Sequence, residues 1–190
     1  MDLPPPPLCR INPRRRRFLR AAAVLPAMAL LPASALANDF WNRPREIWLK
    51  RPATGEELRA VYWANGQLQT DGYVRACQLL RDVTAGQAVQ MDVTLLDVIR
   101  GIHGWFESAG LTRPIYINSG YRTTGTNSHI EGAARNSMHT YGKAADLRLD
   151  GVPTAYLAKL GVYLAGGGVG FYQSKGFVHV DSGRLRVWAG

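Results

Sequence analysis

Two cysteines in 190 residues are too few for a disulfide framework. Cys9 lies in the first forty residues, in a segment that reads as a removable leader, so Cys77 would have no partner in the mature chain. It falls in Tyr73–Leu80, a helical-looking run, and reads as a buried structural thiol, not a nucleophile. Internal repeats and low-complexity linkers are absent after Asn38, which excludes solenoids and arrays. The charges are scattered, with no basic stripe of the kind that tracks a phosphate backbone, and this argues against nucleic acid as a partner. The apolar stretch Ala21–Leu31 is too short for a membrane span and is interrupted by Pro26, with Pro32 directly after it.

That stretch fits better as the middle of an export signal. It follows the basic run Arg14-Arg-Arg-Arg17-Phe-Leu-Arg20 and precedes Ala35-Leu-Ala37, a small-residue cleavage pattern. Arg-Arg-x-Phe-Leu is similar to the twin-arginine signal, whose route carries folded proteins. The expectation is a signal peptide over 1–37, a single domain over 38–190, a periplasmic location and no stable membrane anchor after cleavage. Residues 1–37 hold six of the 23 basic residues and one of the 14 acidic ones, leaving 17 and 13 in the domain. A residual charge of +4 suits an anionic polymer such as a bacterial cell wall.

Along the domain, Asn38–Pro44 reads as an extended arm. Glu46–Lys50 and Leu58–Trp63 read as strands, with Asn65-Gly66 turning the second into Gln67–Gln69 as a hairpin. Asp71 is the expected N-cap of a helix running to about Asp82, with Val74 on its inner side. Apolar residues at helical spacing predict a second helix over Val93–Ala109, capped by Asp92 and ended by Gly110, with His103 inside it as a packing residue. Ile115–Asn118 is the next strand, Asn127–Ala134 a short helix, Ala144–Asp150 an alternating strand and Thr154–Leu164 a helix. Phe171-Tyr172 begins a strand after the glycine-rich turn, and Phe177–Asp181 is the last well-marked one. Helices and strands without βαβ alternation predict an α+β fold with a small, largely antiparallel sheet flanked by helices.

Three residues carry the chemistry: His139, Asp146 and His179. Two imidazoles and one carboxylate form a ligand set that holds Zn(2+) while leaving one coordination position for a water to be activated. Strand periodicity puts Phe177, His179 and Asp181 on one face of their strand. Pairing that strand with Ala144–Asp150 would bring Asp146 and His179 to about 5 Å between Cβ atoms. His139 precedes Asp146 in a loop that Gly142 allows to fold back.

Ser137-x-His139-x-x-Gly142-x-Ala144-x-Asp146 resembles the metal motif of the zinc D-Ala-D-Ala peptidases, the superfamily that includes the hedgehog signalling domain. Leu79–Asp82, Ser119–Arg122, Asn127, Gly166–Tyr172 and Phe177–Gly183 through Trp188 look like its YcbK-like periplasmic branch of murein endopeptidases. The resemblance implies that His139, Asp146 and His179 are the zinc ligands and that peptide crosslinks of peptidoglycan are the substrate. Related enzymes often place a glutamate three residues before the last histidine, or a histidine two before it. This chain has Gly176 and Phe177 there, so its general base cannot be inherited. Asp181 would either take the water proton or orient a ligand imidazole. His129 is a further candidate base.

Arg122 would face the tetrahedral oxyanion or clamp a substrate carboxylate, unless it ties the strand end to the loop. Ser137 and Asn127 would fix the loop. Two other functions stay open: a zinc carboxypeptidase or dipeptidase, and a catalytically silent wall-binding module stabilised by zinc.

Overall fold

The computed structural model describes residues 40–190, so the expected leader and the cleavage site after Ala37 lie outside the described residues. Eight strands form one mixed sheet: β1 (Arg45–Arg51), β2 (Glu56–Ala64), β3 (Gln67–Leu68), β4 (Ile115–Ser119), β5 (Ala144–Arg148), β6 (Gly168–Tyr172), β7 (Phe177–Asp181) and β8 (Arg186–Ala189). Their order is β3-β2-β1-β4-β5-β7-β6-β8. Pairing is antiparallel except for β1 with β4 and β6 with β8. The α+β class and the mainly antiparallel pairing agree with the expectation, although eight strands make a broader sheet than the small one expected.

The helices are α1 (Thr70–Leu79), α2 (Val93–Ser108), α3 (Thr124–Ser128) and α4 (Thr154–Leu164). Leu95, Leu96, Ile99 and Ile102 of α2 and Leu157 and Leu160 of α4 share a core with Val169, Val178 and Val180. Each core side chain of this size is worth about 1.5–3 kcal/mol when buried. Alternation along β7 therefore commits one sheet face to the helices and leaves His179 and Asp181 on the other.

Some boundaries differ from the sequence reading. Residues 40–42 are helical, not extended. Helix α1 is capped by Gln69, and Asp71 sits inside its first turn, paired with Arg75 at 3.6 Å. Its buried face runs through Gly72, Ala76, Cys77 and Leu79, leaving Val74 55% exposed instead of on the inner side. Gly72 sets this register, because it lies against the Val61 carbonyl too closely for any Cβ. The short helix starts three residues earlier than expected, at Thr124, because the Thr123 side chain caps it by accepting from Thr126 N–H. Strand β8 was not expected. Cys77 is buried and accepts a hydrogen bond from Met91 N–H at 3.3 Å, as suits a structural thiol.

Candidate metal centre

Strand register builds two-thirds of the site. Asp146 stands directly opposite His179 in the antiparallel β5/β7 ladder. His139 comes from a 3-10 turn, Met138–Tyr141, in which its own N–H donates to the Ser137 hydroxyl at 3.4 Å. Gly142 ends that turn at φ +67°, a left-handed conformation that glycine adopts without strain, and the chain folds back into β5. A register irregularity between Ile117 and Ser119 brings the end of β4 beside Asp146. Next to it, Gly120 lies flush against the Leu80 backbone, where a Cβ would fall 2.2 Å from the carbonyl oxygen.

Asp82 fastens the loop that follows. Its Oδ2 accepts from Thr123 N–H and from Thr123 Oγ1, and its Oδ1 from the N–H groups of Thr84 and Ala85. Burial raises the Asp82 pKa, but the hydrogen bonds from Thr126, Thr123 and Ala85 outweigh it and bring it down to about 2.

The three expected ligands converge. His139 Nε2 lies 3.2 Å from Asp146 Oδ1 and 3.1 Å from His179 Nδ1, and the latter two atoms are 3.0 Å apart. All three residues are buried. Their other polar atoms fix which atoms point inward. His139 Nδ1 lies 2.6 Å from the Gly120 carbonyl, which can only accept, so Nδ1 carries the proton and Nε2 presents a lone pair. His179 Nε2 lies 3.0 Å from Asp181 Oδ2, so the same reasoning turns its Nδ1 lone pair inward.

With both imidazoles neutral, three acceptors meet in a buried space with no donor among them, which is costly without a cation. A tetrahedral zinc site with ligands at 2.0–2.1 Å has ligand atoms about 3.3 Å apart, close to the spacing observed. The residues present fit the ion. Burial lowers the His139 pKa. Burial acts the same way on His179, but the carboxylates of Asp146 and Asp181 more than offset it and raise the pKa. Both aspartates are held well below the ordinary carboxylate range: burial would raise them, and their hydrogen-bond donors outweigh it.

The remaining expected residues are placed as follows. Arg122 pairs through Nη2 with Asp146 Oδ2, and its Nε donates to Ser119 Oγ at 2.7 Å. It lines the adjacent cleft, but its guanidinium is engaged with the Asp146 carboxylate and the strand end. Asp181 is 1% exposed and accepts five hydrogen bonds: from His179, from Gly168 and Gly183 N–H, and two from Arg186. Its lone pairs are filled and it does not line the cleft.

His129 is exposed, with Nδ1 against the Gly125 carbonyl at 2.8 Å, and is not brought to the site. Asn127 donates to the Ala134 carbonyl at 3.0 Å and Ser137 caps the 3-10 turn, so both hold the loop. His103 is buried in α2 against the Arg113 carbonyl. Arg186 was missed, since it lies on the unexpected β8, and Trp188 on the same strand was named only as the end of the resembling segment. The Trp188 ring sits 5.2 Å from that of His179. A cleft of about 560 Å3, a usual size for a ligand site, opens over the triad between the 130–138 loop and the β6–β7 turn.

An α+β fold with a buried His-Asp-His group that could hold a metal ion, at the floor of a cleft, suits a hydrolase. The family model for the peptidoglycan L,D-endopeptidase MepK matches residues 40–188, and the chain belongs to that family. It is 30% identical over 184 residues to the peptidoglycan L,D-endopeptidase MepK of Escherichia coli K12, covering 94% of this chain and 99% of that protein. It is also 30% identical over 185 residues to the probable peptidoglycan L,D-endopeptidase MepK of Haemophilus influenzae, covering 95% and 98% of the two chains.

Proposed function

We propose that this protein is an exported zinc peptidase that hydrolyses peptide crosslinks in peptidoglycan. The observation that carries the proposal is the convergence of two imidazole nitrogens and one carboxylate oxygen within 3.2 Å of one another at the floor of the cleft. The named activity of relatives aligned over nearly their whole length supports the substrate class.

His139 Nε2, His179 Nδ1 and Asp146 Oδ1 would hold the ion. When bound, zinc lowers the pKa of a coordinated water to about 7 and polarises a carbonyl. The chain's own residues prepare that position. The Gly120 carbonyl and Asp181 each fix one imidazole tautomer, and Arg122 holds Asp146 so that Oδ1 faces the histidines. Asp181 acts as an orienter and not as the proton acceptor, because a saturated carboxylate outside the cleft cannot reach the attacking water. Arg122 is a positioning residue whose charge borders the space where an oxyanion would form.

The test is a digest of purified crosslinked muropeptides by the zinc-loaded protein, with and without chelator. The expected result is conversion of dimers to monomers, lost on chelation and restored by zinc. Conversion indifferent to chelation would remove the metal from the account, and release of single terminal residues would indicate a carboxypeptidase instead.

Export through the leader belongs to the same proposal, since wall peptides lie outside the cytoplasm. Replacing Arg15 and Arg16 by lysine is expected to accumulate uncleaved precursor inside the cell. Undiminished appearance of the shortened protein in the periplasm would argue against the twin-arginine route.

A further inference from the structure

Three cationic side chains line the cleft, and two are neutralised. Arg122 is paired with Asp146, and Arg186 grips both oxygens of Asp181. The third, Lys175, is exposed and makes no ion pair among the described residues, Glu131 of the same lining included. The Lys175 ammonium lies 5.7 Å from the centre of the Tyr172 ring. The turn that carries it is fixed by its own hydrogen bonds, Lys175 N–H to the Tyr172 carbonyl at 3.2 Å and Gly176 N–H to the Gln173 carbonyl at 3.1 Å.

Tyr172 supplies a second, independent observation. Its ring stacks on Phe177 with centres 4.8 Å apart and planes 20° apart. Its hydroxyl oxygen accepts from the Trp188 indole N–H at 3.0 Å. That hydroxyl also has a proton to donate, and no described residue accepts it. Tyr172 stands opposite Phe177, two ladder positions from the Gly170–His179 pair. At about 3.4 Å per strand residue the separation is about 7 Å, roughly two residues of an extended peptide.

An ammonium without an ion pair, over the ring of a tyrosine whose O–H has no acceptor among the described residues, offers the chemistry that recognises a carboxylate. We infer that Tyr172 and Lys175 form a subsite for a free carboxylate carried close to the scissile bond. The cleft would then favour crosslinked peptides whose branching amino acid keeps its acid over those in which it is amidated. The inference rests on the endopeptidase reading for the substrate's identity, while the subsite itself rests on these two side chains.

The experiment compares two synthetic crosslinked peptide dimers, one free acid and one carboxamide at the branching residue. Zinc-loaded protein is expected to cleave the acid with kcat/KM about tenfold or more above the amide, the difference lying in KM. Lys175→Met and Tyr172→Phe should each raise KM for the acid, and the double variant should treat both peptides alike. Calorimetric binding of the two dimers to zinc-free protein gives a readout independent of turnover, with the acid bound more tightly and the advantage lost in the double variant. Equal cleavage of acid and amide by the unmodified protein overturns the subsite, as does a preference that survives both substitutions. If neither dimer is cleaved, the endopeptidase reading fails. Calorimetry then decides the subsite alone: tighter binding of the acid upholds it, and equal or no binding overturns it.

Discussion

His179→Ala is expected to bring bound zinc from one per chain to near zero at micromolar protein, and crosslink cleavage down with it by on the order of 10^3-fold or more. The size follows from what the side chain supplies. Its Nδ1 is one of the three atoms that would hold the ion, and the two that remain cannot close a tetrahedral site with only one open position. Losing the several kcal/mol of charge stabilisation that a metal contributes, at about 1.4 kcal/mol per factor of ten, gives that magnitude. The fold should persist, because Asp181 keeps Arg186 and two backbone N–H donors. His103→Ala is the natural control: a buried histidine elsewhere, held to the Arg113 carbonyl, whose loss should touch stability and leave zinc stoichiometry at one. Full activity in His179→Ala would falsify the site.

Asp181→Asn should separate metal affinity from chemistry. The carboxylate receives the His179 Nε2 proton and is itself clamped by Arg186 through two bonds of 2.6 and 3.1 Å. An amide in its place still offers one oxygen but brings a competing NH2 toward Arg186 and the Gly168 and Gly183 N–H groups. The imidazole then loses its anionic partner and part of its basicity toward the ion. Partners of this kind typically contribute 10- to 100-fold in metal affinity. A zinc titration is expected to show weakening in that range, with cleavage at saturating zinc returning close to the unmodified rate. Zinc affinity unchanged with activity gone would instead make Asp181 the proton acceptor.

Much of this site is legible from sequence because it is built on strand period and glycine. Phe177–Asp181 alternates, so His179 and Asp181 share a face whatever the strand pairs with, and Gly142 marks where the His139 turn reverses. Helices α2 and α4 are equally legible, each a sustained apolar stripe. Strand β8 is not, because Arg186–Ala189 is only four residues long and is held by parallel pairing with β6, with β7 intervening in the chain. Missing β8 hid Arg186, and with it the saturation of Asp181 on which the proposed orienting role rests. Arg122 shows a different limit. Its backbone position follows from the end of β4, but the direction of a long guanidinium depends on which carboxylate lies within reach, here Asp146. The N-cap of α1 was misjudged for a local reason: Asp71 is a good cap by type, yet the close contact of Gly72 with the Val61 carbonyl starts the helix earlier.

Zinc K-edge X-ray absorption on the loaded protein probes the coordination shell itself. The expected spectrum has four light scatterers at about 2.0–2.1 Å, two of them showing the outer-shell pattern of imidazole, and loses one imidazole in the His179→Ala protein when enough zinc is forced on. A shell containing sulfur at about 2.3 Å, or one without imidazole, would contradict the assignment of the ion to His139, Asp146 and His179.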